Sequence, residues 1–351
     1  KTYDSVILHV VSEADTEITR SNGEQIPQLL LTCPENVQLH YHELCVADHY
    51  PACYSILASL PKLTIHSWLT ALQTERLEQK AQLITQRLKH CNSNWEDAFF
   101  ITLARNFGFG LNGDAFETWA GLLPFRAMDK HRNDLFQIEA FFYGLAGLLE
   151  ETFLKKEQED EYSLRLCKEF RYLQRKFEIG QGMDATLWRF LRLRPENFPH
   201  IRLAQLAYLY QKVDKLFSQM MEAENLPEVR QLLSTHASAY WDNHYIFGRP
   251  SSQKEKSMGE RSQELIVINT VVPFLYAYGL HRTDERMCDR AGRFLEELKA
   301  ENNHIIRSWG DAGLPVGSAA DSQALIQLRK EYCDKRKCLF CRFGYEYLRK
   351  K

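Results

Sequence analysis

The sequence lacks an excess of charge of one sign, and it lacks an apolar run long enough to cross a membrane. Among its 351 residues, 44 Lys and Arg stand against 46 Asp and Glu, which gives a formal net charge of -2. This balance excludes a global basic field, so binding to nucleic acid would need a local patch. The most apolar stretch, residues 265–278, is interrupted by Asn269 and Pro273. We therefore expect it to be a buried core helix.

Familiar catalytic signatures are also missing. The sequence contains no Gly-x-Ser-x-Gly nucleophile elbow, no Walker motif and no His-Glu-x-x-His pair. The acidic residues that could serve in acid–base work are Asp114, Glu117, Asp129, Asp134 and Glu139. Because Glu139 lies between Ile138 and Ala140 on a helical pattern, we expect it to be a buried acid with hydrogen-bond partners rather than a catalytic residue.

The number and spacing of the cysteines argue against a disulfide framework. There are nine, an odd number, and most are scattered singly through helical patterns. This usage is typical of a reducing compartment, and we predict a cytoplasmic protein. The chain begins at Lys1 with neither a methionine nor a leader, directly before a strand-like run, so we expect the true N-terminus to lie upstream.

Hydrophobic periodicity divides the sequence into a short β-containing start and a long helical remainder. Residues 6–11 form a β-branched run, Asn22-Gly23 predicts a hairpin turn, and residues 29–31 and 37–41 are predicted to be short strands. From residue 50 onward, apolar residues recur every three to five positions, as they do over 69–88. The pattern predicts a mainly α protein, in which a helical array follows a small β-containing N-terminal fragment.

Two domains are predicted from this change of period. Residues 1–50 form a β-rich fragment, the end of a truncated α/β core, and residues 51–351 form a helical domain with a C-terminal cysteine cluster. Within the helical domain, Asn94 is predicted to cap one helix, and Asn133 to cap another that runs through Leu154.

The C-terminal cluster Cys333-x4-Cys338-x2-Cys341 is the most specific candidate for chemistry. A turn can bring three such thiolates to one metal ion, and the surrounding Lys and Arg residues would lower their pKa values. We expect zinc, because the plant-type ferredoxin spacing that the cluster resembles needs a fourth cysteine further downstream. The alternative is three reduced cysteines that pack as small apolar side chains. By proximity in sequence, candidates for a fourth ligand are Cys288, His304 and His281.

A second group of ligand-type residues lies near the N-terminus. It consists of His40, His42, Cys45, His49 and Cys53. In a strand, His40 and His42 share a face, whereas in a helix Cys45, His49 and Cys53 do. Because one regular element cannot satisfy both patterns, a solvated strand end followed by a partly buried helix is favoured over a metal site.

A basic run provides a candidate nucleic-acid-binding surface. Its arginines are Arg189, Arg192, Arg194 and Arg202, and the aromatic residues between them are Trp188, Phe190 and Phe198. Arginine binds phosphate through two parallel hydrogen bonds, and aromatic rings stack on bases. The alternative is an element with Leu187, Leu191 and Leu193 turned inward, and the nearby Glu196 favours it by diluting the charge.

Several longer strings resemble an uncharacterised bacterial family known as domain of unknown function 2851. They are Val6-Ile7-Leu8-His9-Val10-Val11, Ser67-Trp68-Leu69, Leu103-Ala104-Arg105-Asn106-Phe107-Gly108-Phe109, Leu193-Arg194-Pro195, Ile268-Asn269-Thr270-Val271-Val272-Pro273 and Tyr332-Cys333-x4-Cys338-Leu339-x-Cys341-x2-Gly344. The resemblance implies an upstream region similar to PD-(D/E)xK nucleases, whose acidic residues bind Mg²⁺. Those ligands would lie before Lys1, so that this part of the chain would not be catalytic alone.

Two functions follow as hypotheses. The first is the helical body of a nuclease-like, nucleic-acid-associated protein. The second is a non-enzymatic scaffold or partner-binding module with a structural cysteine–metal site, which would fold more tightly with Zn²⁺. An iron–sulfur protein ranks below both, because the sequence does not reveal a fourth ligand.

Overall fold

The computed structural model describes residues 4–154 and 159–350. Over these residues the protein is mainly helical with one small two-stranded sheet, which confirms the predicted fold class. The strands are β1 (His9–Val11) and β2 (Gln28–Leu30). The helices are α1 (Glu35–Val46), α2 (Tyr54–Leu57), α3 (Lys62–His90), α4 (Trp95–Phe107), α5 (Gly113–Gly121), α6 (Phe125–Asp129), α7 (Leu135–Leu145), α8 (Glu161–Lys176), α9 (Pro199–Lys212), α10 (Leu216–Glu222), α11 (Leu226–Leu233), α12 (Glu260–Ile266), α13 (Val272–Arg282), α14 (Glu285–Glu297), α15 (His304–Asp311), α16 (Ala319–Gln327) and α17 (Arg342–Leu348).

The N-terminal segment contains less β-structure than predicted. Strands β1 and β2 pair in parallel, with His9 opposite Gln28, and the predicted turn at Asn22-Gly23 is present with a φ of 81° at Gly23. Residues 37–41 were expected to be a strand, but this expectation is wrong because they lie within α1. The buried residues of α1 are His40 and Leu44, whose spacing of four is helical.

The chain forms two compact units. The first unit comprises Lys1–Leu72, Glu301–Val316 and Ser322–Lys351, and the second comprises Gln73–Ala300 and Gly317–Asp321. The N-terminal segment therefore shares a unit with the C-terminal helices. The buried core of the first unit includes Leu57, Trp309, Ala324, Leu325, Leu328 and Phe343.

The second unit is built around α7, which is buried on all sides over residues 138–145. Asp134 caps this helix in place of the predicted Asn133, and the helix ends at Leu145 instead of continuing to Leu154. The chain turns at Gly147, whose φ is 71° and whose Cβ, if it had one, would lie 2.3 Å from a backbone oxygen. Only glycine fits a backbone of that conformation at such a close approach.

Two local predictions for the second unit agree with the structure. Asn94 caps α4, and its side-chain oxygen accepts hydrogen bonds from the N–H groups of Glu96 and Asp97. The apolar stretch around residues 265–278 lies in Glu260–Arg282, the one described helical segment that is long and apolar enough to span a membrane by composition. Since 61% of its most apolar window is buried inside the protein, it packs as a core helix.

Candidate metal centre and candidate nucleic-acid interface

The C-terminal cysteines lie on a tight hook in the first unit. A π-helical turn ends at Cys333, a short 3₁₀ turn begins at Cys338, and Cys341 directly precedes α17. The hook closes where Gly344 meets the backbone of Cys338, because a Cβ on Gly344 would lie 2.1 Å from the Cys338 carbonyl oxygen. The backbone N–H groups of Gly344 and Phe343 act to lower the pKa of the Cys341 thiol.

The three cysteines of the hook line a single cavity together with Cys53. The volume of this cavity is about 160 Å³. The remaining lining residues are Leu44, Ala47, His49, Tyr50, Ala52, Tyr332, Arg336 and Gly344. The structure thus brings the C-terminal cluster together with part of the N-terminal His/Cys group, which the sequence presents as separate features.

Other candidate ligands lie elsewhere. His40 is buried and its Nδ1 lies 3.0 Å from the Leu348 carbonyl oxygen, while His42 is exposed. Of the three residues considered for a fourth ligand, His304 is exposed at the start of α15, and Cys288 and His281 belong to the second unit. Across residues 4–154 and 159–350, no three His, Cys, Asp or Glu side chains are grouped closely enough to share one metal ion.

Burial raises the pKa values of the four thiols. The pKa of Cys333 rises to about 12, and those of Cys53, Cys338 and Cys341 rise for the same reason, with a smaller contribution from the neighbouring thiols. Nearby cations lower these values as expected, Arg329 for Cys333 and Arg336 for Cys338, but desolvation outweighs them. The thiols are therefore protonated at neutral pH unless a ligand displaces the protons.

The cations around the hook are held by other groups. Arg336 donates to the Cys45 carbonyl oxygen, and Arg342 donates to the Ser67 hydroxyl while its guanidinium lies 5.3 Å from the centre of the Trp68 ring. These contacts fasten the hook to the α1 and α3 segments of its own unit.

The basic run lies in the second unit on a loop before α9. Arg189, Arg192 and Arg194 are exposed. The loop turns at Arg192, which has a φ of 66°. The alternative in which the leucines face inward is wrong for two of them, because Leu187 is 50% exposed and Leu191 is 81% exposed.

Arg202 does not share this surface. Only 6% of it is exposed, and its guanidinium lies 4.4 Å from the centre of the Phe109 ring. It donates hydrogen bonds to the side-chain oxygens of Gln205 at 2.8 Å and Asn197 at 2.5 Å. Burial lowers its pKa to about 10, so it stays charged at neutral pH. Its role is to hold α9 to its neighbours. Arg202 is therefore not part of the exposed surface that was predicted to bind nucleic acid.

An aromatic-lined cavity of about 330 Å³ lies beside the arginine loop. Two of the loop's aromatic residues, Phe190 and Phe198, contribute to its wall, whereas Trp188 is buried and donates to the Ala146 carbonyl oxygen. The other lining residues are Phe153, Leu154, His200, Ile246, Phe247 and Arg249. This cavity could not be predicted from local sequence patterns, because its walls come from segments far apart in the chain.

His200 is the buried polar group in the lining of this cavity. It is 2% exposed, and its Nδ1 has no hydrogen-bond partner in the described part of the chain. Burial lowers its pKa to about 3, so the ring is neutral at physiological pH. The exposed Arg249 is the cationic member of the lining. A neutral imidazole has one N–H donor and one acceptor nitrogen. His200 can therefore donate a hydrogen bond to, or accept one from, a flat polar ring that lies against the aromatic wall.

Four of the five candidate acids serve ion pairs, hydrogen bonds or helix caps. These contacts are Glu117 with Arg87 and Arg105, Asp114 with Arg105, Asp129 with Arg132 and Tyr210, and Asp134 with the N–H groups of Phe136 and Gln137. Such contacts account for these residues without a catalytic role.

Glu139 is fully buried on α7, as predicted, but only half of its carboxyl group is paired. One oxygen accepts a hydrogen bond from the Tyr162 hydroxyl, while Oε1 has no partner within the described residues. Burial raises its pKa to about 7, against the opposing effect of Tyr162 and the nearby polar groups of Ser238 and Trp241. We regard it as a member of a buried polar network.

These features define a mainly helical protein with a cysteine-lined cavity in one unit and an arginine loop beside an aromatic cavity in the other. A family model described as a protein of unknown function, DUF2851, matches residues 1–304. The chain therefore belongs to the DUF2851 family, as its resemblance indicated. The match ends before Cys333, so the C-terminal strings of the hook lie outside it. Neither the curated proteins nor the solved structures include a match to this chain.

Proposed function

We propose that this protein binds single-stranded nucleic acid through the loop that carries Arg189, Arg192 and Arg194. The observation that carries the proposal is that three exposed arginines flank a cavity with aromatic walls. Arginine side chains bind the phosphate backbone, and aromatic side chains stack on unpaired bases without regard to sequence. The balanced net charge confines this activity to a local surface.

The aromatic cavity supports a single unstacked base as the bound group. Its volume of about 330 Å³ lies at the lower end of the range of roughly 300–1,000 Å³ that is typical of ligand pockets. Phe190 and Phe198 supply ring faces, the neutral His200 supplies a hydrogen-bonding edge, and Arg249 is available to a flanking phosphate. A base held inside a duplex could not reach such a cavity.

In this proposal the described residues are the nucleic-acid-holding body of a nuclease-like protein. The candidate acids are engaged in ion pairs, caps and a buried hydrogen bond, so the proposal assigns them structural roles. Catalytic groups would lie before Lys1, as the family resemblance implies.

The test measures fluorescence anisotropy of a labelled single-stranded oligonucleotide of about 16 nucleotides, the upper site size of common single-strand binders. Affinity is recorded from 50 to 200 mM salt for the wild type and for the triple variant Arg189→Gln, Arg192→Gln, Arg194→Gln. Each phosphate contact on a single strand contributes about -0.7 to the slope of log K against log salt. The triple variant is therefore expected to flatten the slope by about 2.

A matched variant controls for net charge. Arg282, Arg286 and Arg293 are also exposed in the second unit, and their replacement by Gln removes the same three charges. This control is expected to retain the wild-type slope. Phe190→Ala should weaken binding of the single strand by about 1–3 kcal/mol, the usual contribution of one stacked base. The proposal would be refuted if both triple variants flattened the salt dependence equally, or if the wild type did not bind the oligonucleotide.

A partner-binding or scaffold module with a structural metal site is the second candidate function. One observation favours it: four cysteine side chains line one cavity in the first unit. In this second candidate function, the protein is cytoplasmic and the cysteines bind a zinc ion. The zinc stabilises the fold, and the helical array binds a partner protein. It predicts that a chelator lowers the melting temperature and that the wild type does not bind nucleic acid.

A further inference from the structure

The cysteine cavity contains the fourth thiol that the C-terminal cluster lacks in the sequence. Cys53, in the segment that leads into α2, lines the same cavity as Cys333, Cys338 and Cys341. Four thiols around one cavity form a complete protein ligand set for either a structural zinc ion or an iron–sulfur cluster.

The two occupants require different separations between the sulfur atoms. A zinc ion holds its sulfur ligands at about 2.3 Å, which would draw four sulfur atoms close together around one point. No three ligand-type side chains in residues 4–154 and 159–350 are grouped in that way. A cluster of several irons and sulfides separates its four thiolates much further, because each thiolate binds a different part of the cluster or a different iron.

The size of the cavity agrees with the larger occupant. Its volume of about 160 Å³ is many times the roughly 10–15 Å³ that a single water needs. A lone ion with four thiolates would leave most of that space empty, whereas the inorganic core of a cluster would occupy it. The apolar lining, which includes Leu44 and Ala52, limits access of water to the sulfides.

The hook also supplies the usual surroundings of a cluster. The intervals of Cys333-x4-Cys338-x2-Cys341 match those of plant-type ferredoxins. Backbone N–H groups of Phe343 and Gly344 favour the thiolate form of Cys341 by lowering its pKa, against the larger effect of burial, and N–H groups near a ligating sulfur stabilise a cluster. Arg336 brings a positive charge to the lining, which offsets the negative charge of four thiolates.

We propose that Cys53, Cys333, Cys338 and Cys341 bind an iron–sulfur cluster. The proposal rests on the cysteine–metal site of the second candidate function and is independent of nucleic-acid binding. Each cysteine binds as a thiolate, so that four protons are released to solvent as the preformed cluster is bound, and no change in the oxidation state of the protein is involved.

The experiment uses the full chain, purified without oxygen and without a histidine tag, and then supplied with ferric and ferrous iron and sulfide under the same conditions, so that the oxidation level of the cluster comes from the added iron. Iron, acid-labile sulfide, zinc and the visible spectrum are measured per chain. The expected result is iron and sulfide in equal amounts, two or four of each per chain, with broad visible absorption. In Cys53→Ser, both are expected to fall together to background.

Two matched cysteine variants make the result specific. Cys45 lies near Cys338 without lining the cavity, and Cys167 is half-buried in the second unit, where its thiol donates to the Leu149 carbonyl oxygen. Cys45→Ser and Cys167→Ser are both expected to keep the full iron content. Circular dichroism of Cys53→Ser before reconstitution shows whether the chain is still helical.

Each other outcome overturns the proposal in a distinct way. About one zinc per chain and no visible absorption would replace the cluster by a structural zinc site and leave the second candidate function intact. No metal after reconstitution would remove both the cluster and that candidate's metal site. Full iron content in Cys53→Ser would exclude Cys53 as a ligand, whether or not the other three bind iron.

Discussion

Glu139 provides a sharp test of the fold because its ionisation should control stability near neutral pH. The carboxyl group is fully buried on α7, and burial raises its pKa from 4.5 to about 7. The folded state therefore binds more protons than the unfolded state between these two values, so stability must fall as the pH rises through this range. The loss of stability is complete above the pKa of Glu139 in the folded state and is absent below its pKa in the unfolded state.

The size of the effect follows from the shift. A difference of one pKa unit corresponds to about 1.4 kcal/mol, so a rise from 4.5 to about 7 lowers the free energy of unfolding by about 3 kcal/mol at alkaline pH. Glu139→Gln has no ionisable group, and its amide oxygen can still accept the hydrogen bond from Tyr162. We expect the variant to lose this part of the pH dependence and to be more stable than the wild type above pH 7.

Urea unfolding followed by far-ultraviolet circular dichroism, at intervals between pH 4.5 and 8, measures the difference. The quantity of interest is the free energy of the variant minus that of the wild type, because other titrating groups cancel in it. A difference that does not change with pH would show that folding does not raise the pKa of Glu139 as its burial requires. The exposed Glu297→Gln change is the control for replacing a surface carboxylate in the same unit.

Three further substitutions test separate parts of the structure. Gly344→Ala places a Cβ 2.1 Å from the Cys338 carbonyl oxygen and should open the hook. In thermal melts it should lose about 1–3 kcal/mol or more of stability, and in metal analysis it should lose bound metal. The control Gly310→Ala, where the added Cβ meets no atom within 4 Å, should lose neither stability nor metal. Arg202→Lys keeps the charge but loses the two hydrogen bonds of the guanidinium. It should lower the free energy of unfolding by about 1–3 kcal/mol and leave the oligonucleotide affinity unchanged. Weaker oligonucleotide binding at unchanged stability would show that Arg202 belongs to the nucleic-acid-binding surface. Asn94→Ala should cost about 1 kcal/mol in urea unfolding, because it removes the cap of α4, and an unchanged midpoint would contradict that role.

Features that depend on nearby residues could be predicted from the sequence. The cap at Asn94 and the turn at Gly23 are set by a few adjacent side chains, and both are present in the structure. The segment 37–41 shows the limit of such reasoning. Its alternating residues resemble a strand, but burial of His40 and Leu44 by other segments favours a helix. Tertiary packing outweighed the local preference there.

The candidate sites depended more on contacts between distant segments. Spacing identified Cys333, Cys338 and Cys341, but it could not show that Cys53 lines the same cavity, because proximity in sequence does not measure proximity in the fold. The available signal was the N-terminal group of histidines and cysteines, which contains Cys53. Likewise, composition placed Arg202 among exposed arginines, whereas the Phe109 ring and its amide partners hold it in the core.

The two candidate functions can be separated because their residues belong to different units. Cys53 lies in the first unit, and Arg192 with its neighbours lies in the second. If nucleic-acid binding is the function and the metal only stabilises the fold, Cys53→Ser should lose metal and thermal stability while the oligonucleotide affinity, measured below the lowered melting temperature, stays the same. The triple arginine variant should show the reverse pattern. Loss of both properties in Cys53→Ser while the chain remains folded would mean that the metal centre takes part in binding, because a purely structural site can affect affinity only through the folded fraction.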